Sequence, residues 1–294
     1  MRRRLDVELV RRGLARSREH AGELVASGRV SVAGQRAEKP ATQVDAAAAV
    51  LVTEPEPSDR WVGRGAGKLD GALDALAARG LAPVVQDAVC LDAGASTGGF
   101  TQMLLARGAA VVHAVDVGYG QLAWPLRTDE RVQVRERTNV RELGPGWLDP
   151  APDLVVADLS FISLALVLPA LVGTATPDAA HLLMVKPQFE VGRDKVGAGG
   201  VVRDPALRAA AVLSVVEQAR TLGRRLVAAT ASPLPGPSGN VEYFVLLRRA
   251  EDSGAAGTGP GGDGGPGRDR AEVERAVVEG PTGAADDPGP GEQS

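Results

Sequence analysis

Four near-continuous apolar runs of this chain each close on a charged residue: Ala88–Leu91 on Asp92, Ala110–Val115 on Asp116, Leu154–Ala157 on Asp158 and Leu182–Val185 on Lys186. A short run without polar alternation reads as a strand covered on both faces, which in water requires helices above and below it. Stretches with helical spacing stand between these runs, at Lys68–Ala78, Gly99–Arg107, Leu164–Val172 and Pro205–Leu222. Three further strands are read at Val132–Arg135, Leu226–Ser232 and Glu242–Leu247. The alternation predicts an α/β domain built on a seven-stranded, mostly parallel sheet. Ligands of such sheets lie beyond the carboxyl ends of the strands, so the four charged residues stand where a ligand would sit.

Outside that domain the composition shifts twice. Thr53–Asp59 holds two prolines and three acids and reads as part of a linker, residues 53–62, between a head at residues 1–52 and the α/β domain at 63–250. Residues 251–294 hold 12 glycines, 5 prolines and no aromatic residue, and are expected to form a disordered acidic tail. The formal net charge of −4 conceals this partition, because the tail carries −7 and residues 1–50 alone carry +4. A basic head is the pattern of a phosphate-binding module, although the same arginines would also serve as a solvated helix face. Within the head, Leu5, Leu9, Val10 and Leu14 share one helical face, Ser17 is a candidate N-cap for a second helix, and short strands follow at 29–34 and 48–52. Cys90 is the one cysteine, so no disulfide can form within the chain. No stretch matches a signal peptide or a membrane span, so a cytoplasmic protein without a membrane partner is expected.

The first strand runs into Asp92-Ala-Gly94-Ala-Ser96-Thr-Gly98-Gly-Phe100. Small residues there let the backbone turn tightly and approach a ligand. The turn lacks the spacing of dinucleotide-binding glycines, and Asp92 ahead of it would repel a pyrophosphate while suiting a cationic amino acid group. Asp116 at the end of the second strand can accept ribose hydroxyls, and Asn139 beyond the third can meet an adenine edge. Asp92, Gly94, Ser96, Gly98, Asp116 and Asn139 together favour S-adenosyl-L-methionine over a nicotinamide cofactor.

Lys68, Asp158, Lys186 and Glu242 form the candidate catalytic set. Charged side chains that terminate apolar strands belong at the rim of the sheet, where they act on a ligand or tie strand ends together as salt bridges. The three histidines, His20, His113 and His181, are scattered, so no metal site is expected, and Ser160 and Ser163 have no histidine arranged to activate them.

Two resemblances sharpen these readings. Leu5–Arg18 and Leu24–Gly34 resemble the small RNA-binding domain first known from ribosomal small-subunit protein four, which grips structured RNA by shape and phosphates. Arg4, Arg16 and Arg18 are the expected RNA contacts. Gly63–Leu69, Asp92–Thr101, Asp158–Leu164, Val185–Glu190 and Gly239–Phe244 resemble the TlyA family, a branch of the FtsJ-type ribose methyltransferases, over residues 3–249. The resemblance implies a Rossmann-like S-adenosylmethionine-dependent domain, a Lys-Asp-Lys-Glu tetrad at Lys68, Asp158, Lys186 and Glu242, and 2′-O-methylation of cytidine in ribosomal RNA, in the small subunit and in many members the large one. Some members carry haemolysin names. The sequence Asp59-Arg-Trp61-Val62 keeps only part of the family's linker pattern, and the acidic tail is additional. In this reading Lys186 is the base or oxyanion stabiliser, Lys68 its electrostatic partner, and the two acids orient the lysines. A non-catalytic RNA-binding factor and a membrane-active haemolysin are the competing readings.

Overall fold

The computed structural model describes residues 2–26, 28–45, 47–53, 61–250 and 265–281. The chain divides into two compact units, residues 1–60 and 61–294. In the first unit β1 (Arg2–Arg4), α1 (Leu5–Arg11), α2 (Arg18–Ala26), β2 (Val30–Val32), β3 (Gln35–Arg36), β4 (Gln43–Asp45) and β5 (Val50–Val52) follow in order. Leu5, Leu9, Ala21, Leu24, Val25, Val30 and Val44 form its core, so the predicted helical faces are the buried ones. Strands β1, β3 and β4 were not legible, because strands of two or three residues carry no detectable period. They pair as β1 with β4 and as a three-stranded sheet in the order β3-β2-β5.

The second unit contains α3 (Gly65–Ala78), β6 (Val89–Ala93), α4 (Gly99–Ala106), β7 (Val111–Val115), α5 (Trp124–Arg127), β8 (Val132–Arg135), β9 (Leu154–Ala157), α6 (Leu168–Thr174), β10 (Ala180–Val185), α7 (Pro187–Glu190), α8 (Pro205–Thr221), β11 (Arg224–Ala231), β12 (Tyr243–Arg249) and α9 (Pro266–Glu279). Its sheet has the order β11-β12-β10-β9-β6-β7-β8, with β12 antiparallel to both neighbours and the other pairs parallel. The period of two along each strand sorts the core into two layers. Leu91, Val155, Leu183 and Val245 meet α6 and α8 on one face. Cys90, Leu154, Leu182 and Phe244 meet α3 and α4 on the other. The order in which strands are added reverses between β6 and β9, with β7 and β8 on one side and β9 and β10 on the other, and the carboxyl ends of the parallel β6 and β9 open the crevice that such a switch creates.

The tail departs from its expected disorder. Residues 251–264 and 282–294 lie outside the described residues, but 266–279 form α9. Proline at the first turn starts this helix, and Val273, Ala276 and Val277 are buried on its inner face. The glycine and proline count obscured a short amphipathic segment. Its polar groups also serve the edge strand β11: Glu272 accepts from the Ala229 N–H at 2.8 Å, and Arg275 donates to the Ala229 carbonyl at 2.7 Å. Open edge groups invite pairing with other chains, and here side chains occupy them. Each buried valine contributes about 1.5–3 kcal/mol, partly offset by the cost of ordering the helix. Truncation after Glu251 is therefore expected to lower the melting temperature by several degrees, and an unchanged thermal melt would show that α9 contributes nothing to stability.

Candidate active site

The strand register brings the predicted catalytic residues to one edge. Ala93 pairs with Ala157, Ala157 with Leu183, and Val185 with Tyr243. Asp158, Lys186 and Glu242 therefore emerge from three neighbouring strands, β9, β10 and β12, at their shared rim. Lys68 comes from the first turns of α3, which packs closely on α4: a Cβ at Gly99 would lie 2.8 Å from the Ala66 amide. The tetrad resolves into two ion pairs. Lys68 Nζ donates to Glu242 Oε2 at 2.5 Å, with both side chains buried. Lys186 Nζ stands 2.6 Å from Asp158 Oδ1 and donates to Ser160 Oγ at 2.9 Å.

A cavity of about 250 Å³ is lined by Arg64, Lys68, Gly94, Ser96, Thr97, Asp158, Ser160 and Lys186. A second, of about 520 Å³, is lined by Gly94, Ser96, Asp116, Gln121, Thr138, Asn139, Asp158, Ser160 and Phe161, among others. Gly94, Ser96, Asp158 and Ser160 belong to both, so the two spaces adjoin at Asp158, the partner of Lys186. Gly94 has φ +89°, and a Cβ there would lie 2.7 Å from the Asp158 carbonyl oxygen, so only glycine fits between the ends of β6 and β9. Asp116 holds the glycine-rich turn in shape, its carboxylate accepting from the amides of Ser96 at 2.8 Å and Gly118 at 2.6 Å. Lone pairs remain on both oxygens for further donors. Asn139 accepts from the Arg141 amide at 3.1 Å through Oδ1, which leaves its amide nitrogen as a donor toward the larger cavity.

Two expected cofactor contacts are corrected. Asp92 is fully buried and lines neither cavity; its side chain points into the α3/α4 layer, where Oδ2 accepts from Thr101 Oγ1 at 2.6 Å. The bond ties β6 to α4, and burial pushes the Asp92 carboxyl up to about 7. Alternation along β6 decided this, since Asp92 shares its face with buried Cys90. Gly98 also lines neither cavity. With φ +100° it starts α4, and a Cβ would collide with Leu126 at 2.2 Å.

Other residues at this edge were not legible as site residues. Ser160 contacts Lys186, and Phe161 is 91% exposed with φ +64°, a strained position for an aromatic residue. Its ring centroid lies 5.4 Å from that of Phe189, and both line a third cavity, of about 550 Å³, with Ser163, Gln188 and Gly200. Glu190 joins the loops after β9 and β10, accepting from Ser163 Oγ at 2.6 Å and the Leu164 amide at 2.8 Å. Burial raises its carboxyl against those two bonds. The place of Ser160, Phe161, Phe189 and Glu190 inside the Asp158–Leu164 and Val185–Glu190 segments was the signal available in the sequence. Of the expected RNA contacts, Arg4 and Arg18 both bond to Asp6, and Arg16 is exposed. Among the described residues no group of His, Cys, Asp and Glu is placed to hold a metal, and no helix is long and apolar enough to cross a membrane.

Comparison with known proteins identifies the family of both units. Residues 61–249 match the FtsJ-like methyltransferase family and residues 3–50 match the S4 domain. The chain is 57% identical to the 16S/23S rRNA (cytidine-2′-O)-methyltransferase TlyA of Mycobacterium tuberculosis, covering 95% of this chain and 99% of that one. It is 34% identical to Hemolysin A of Brachyspira hyodysenteriae, covering 82% and 98%. A solved structure from Streptococcus thermophilus that carries a hemolysin name superposes with a TM-score of 0.66 at 34% identity, covering 95% and 96%. With its sheet, its adjoining cavities and these matches, the chain belongs to the FtsJ-like methyltransferase family, in the TlyA branch that bears an N-terminal S4 domain.

Proposed function

We propose that this protein methylates the ribose 2′-hydroxyl of cytidine in ribosomal RNA, of the small subunit and also of the large one, using S-adenosyl-L-methionine. The observation that carries the reading is the Lys186–Asp158 pair at the junction of two cavities, one of a size and lining suited to a nucleoside and the other walled by the glycine-rich turn. The residues fit the cofactor: Asp116 offers acceptors for ribose hydroxyls, Asn139 a donor for the adenine edge, and Gly94 the close backbone approach. When bound, the cofactor supplies an activated methyl group on a sulfonium. The chain's task is to place the 2′-oxygen in line and to assist loss of its proton. Lys186 holds and polarises that oxygen, Asp158 and Ser160 fix the amine, and Lys68 adds positive field from the other wall while Glu242 holds it. Phe161 and Phe189 form an apolar wall against which an unstacked base packs, as expected where chemistry must reach inside structured RNA. Cytidine and the two subunits are inferred from the activity named for the Mycobacterium tuberculosis relative. A ribosomal RNA substrate accords with work in the cytoplasm.

Transfer of tritiated methyl to deproteinised ribosomal RNA and to separated subunits, followed by nucleoside digestion, tests the reading. Label is expected in 2′-O-methylcytidine, and absence of transfer to every RNA form would overturn it. Asp116→Ala is expected to cost about 1–3 kcal/mol of cofactor affinity by leaving hydrogen-bonding partners unpaired. Unchanged affinity by calorimetry would remove Asp116 from the site.

A further inference from the structure

The head bonds its arginines in pairs around covered carboxylates. Asp6 on α1 accepts from Arg4 Nε at 3.1 Å and Nη2 at 2.9 Å, and from Arg18 Nη2 at 3.1 Å. Glu8, half a turn further, accepts from Arg11 Nε at 2.8 Å and Nη2 at 2.6 Å, and from Arg12 Nε at 2.8 Å. The acid side chains are 6% and 0% exposed, whereas Arg4, Arg11 and Arg18 keep 45%, 49% and 62% of theirs open. Arg12 turns inward and also donates to the Ala48 carbonyl at 2.9 Å. Each carboxylate therefore carries two guanidinium groups, and each cluster retains a net positive charge on its outer side.

A guanidinium has five N–H donors in a rigid fork. Arg4 and Arg11 each direct two of them to their acid, which leaves others for an incoming phosphate oxygen. A free arginine must give up rotamer freedom when it grips a ligand, and one already held in place gives up less. Glu8 is held ionised, down at about 2, by the two arginines it accepts from, and Asp6 is shifted in the same direction by Arg4 and Arg18. Both acids therefore remain charged at neutral pH.

We propose that Asp6 and Glu8 are positioning residues for RNA: each covered carboxylate holds two arginines in the orientation in which the exposed guanidinium groups meet RNA phosphates. The proposal rests on the RNA-binding reading of the head and adds to it an unusual role for acids in a surface that binds a polyanion. It makes a prediction opposite to that of simple electrostatics. Removing a negative charge raises the attraction of the head for RNA if charge alone matters. If the acids position the arginines, the same substitution weakens binding.

The test compares wild type with Asp6→Asn, Glu8→Gln and Arg4→Gln/Arg18→Gln in the full chain, titrating deproteinised ribosomal RNA over a salt series well below each melting temperature. Asp6→Asn and the isosteric Glu8→Gln are expected to bind about 2- to 10-fold more weakly, the range for side chains that must be immobilised anew. The slope of log affinity against log salt should become shallower by about one, while affinity for S-adenosylmethionine stays unchanged. A purely structural role for the acids would lower the melting temperature but leave affinity and slope of the folded protein as in wild type, and that result overturns the proposal, as does tighter binding. The arginine double variant separates the two layers of the argument. If it weakens binding and the acid variants do not, only the positioning role fails. If it binds RNA like wild type, the reading of the head fails, and the positioning role with it.

Discussion

Lys186→Ala is expected to slow methylation by roughly 10²- to 10⁴-fold, the range for losing a positioned acid–base group, with RNA and cofactor affinity nearly intact. Lys186 is mostly covered yet lines the smaller cavity, and its partner Asp158 is 21% exposed at the joint with the larger one. Water can therefore reach the carboxylate once the amine is gone. Little stability should be lost, because a partly solvated charge keeps much of its hydration. Single-turnover rates with saturating RNA and cofactor, set beside thermal melts, check both halves. A folded variant that methylates at the wild-type rate would show that this pair ties two strands and takes no part in chemistry.

The other pair should behave differently. Glu242→Ala is expected to cost about 3–5 kcal/mol of stability, the usual result of stranding one buried charge of a pair. Lys68 would be left buried, without its 2.5 Å partner, beneath the cavity. For a unit of this size each kcal/mol corresponds to about 2–4 °C, so a fall near 10 °C in melting temperature is expected. The loss of activity at ordinary temperature would then be ambiguous on its own. Lys68→Met combined with Glu242→Leu resolves it, since replacing a buried pair by apolar residues commonly restores stability. That double variant should melt close to wild type and remain inactive. Wild-type rates in it would assign the Lys68–Glu242 pair to architecture alone.

The sequence made the sheet and its charged rim legible because parallel strands buried on both faces leave uninterrupted apolar runs, and a charge that ends such a run has only the rim to occupy. The pairing of the tetrad was not legible. Lys68 and Glu242 are 174 residues apart, and only the insertion of β12 beside β10 brings them together. Asp92 was misread because its position one step before the turn resembles that of a ligand contact, while the alternation of β6 turns it inward. Phe161 was invisible as a site residue, since an aromatic residue in an apolar neighbourhood reads as core and only its exposure and left-handed backbone reveal otherwise. The helix in the tail was lost in a local average dominated by glycine and proline.

The place of β12 in the sheet sets the order in which a newly made chain gains its abilities. The strand is the last of the seven to be synthesised, yet it lies between β10 and β11, where it is antiparallel to both. Until it enters, β11 has no partner in the sheet and Lys68 has no counter-charge. The head consists of the first sixty residues and forms its own core, so it can fold while the rest is still being made. On the proposed reading of the head and the tetrad, RNA binding is acquired early and chemistry last, and a chain interrupted before Glu242 is expected to bind RNA without methylating it. Such a fragment would occupy substrate without modifying it, which makes completion of the final hairpin the step that turns this molecule from a competitor for RNA into an enzyme.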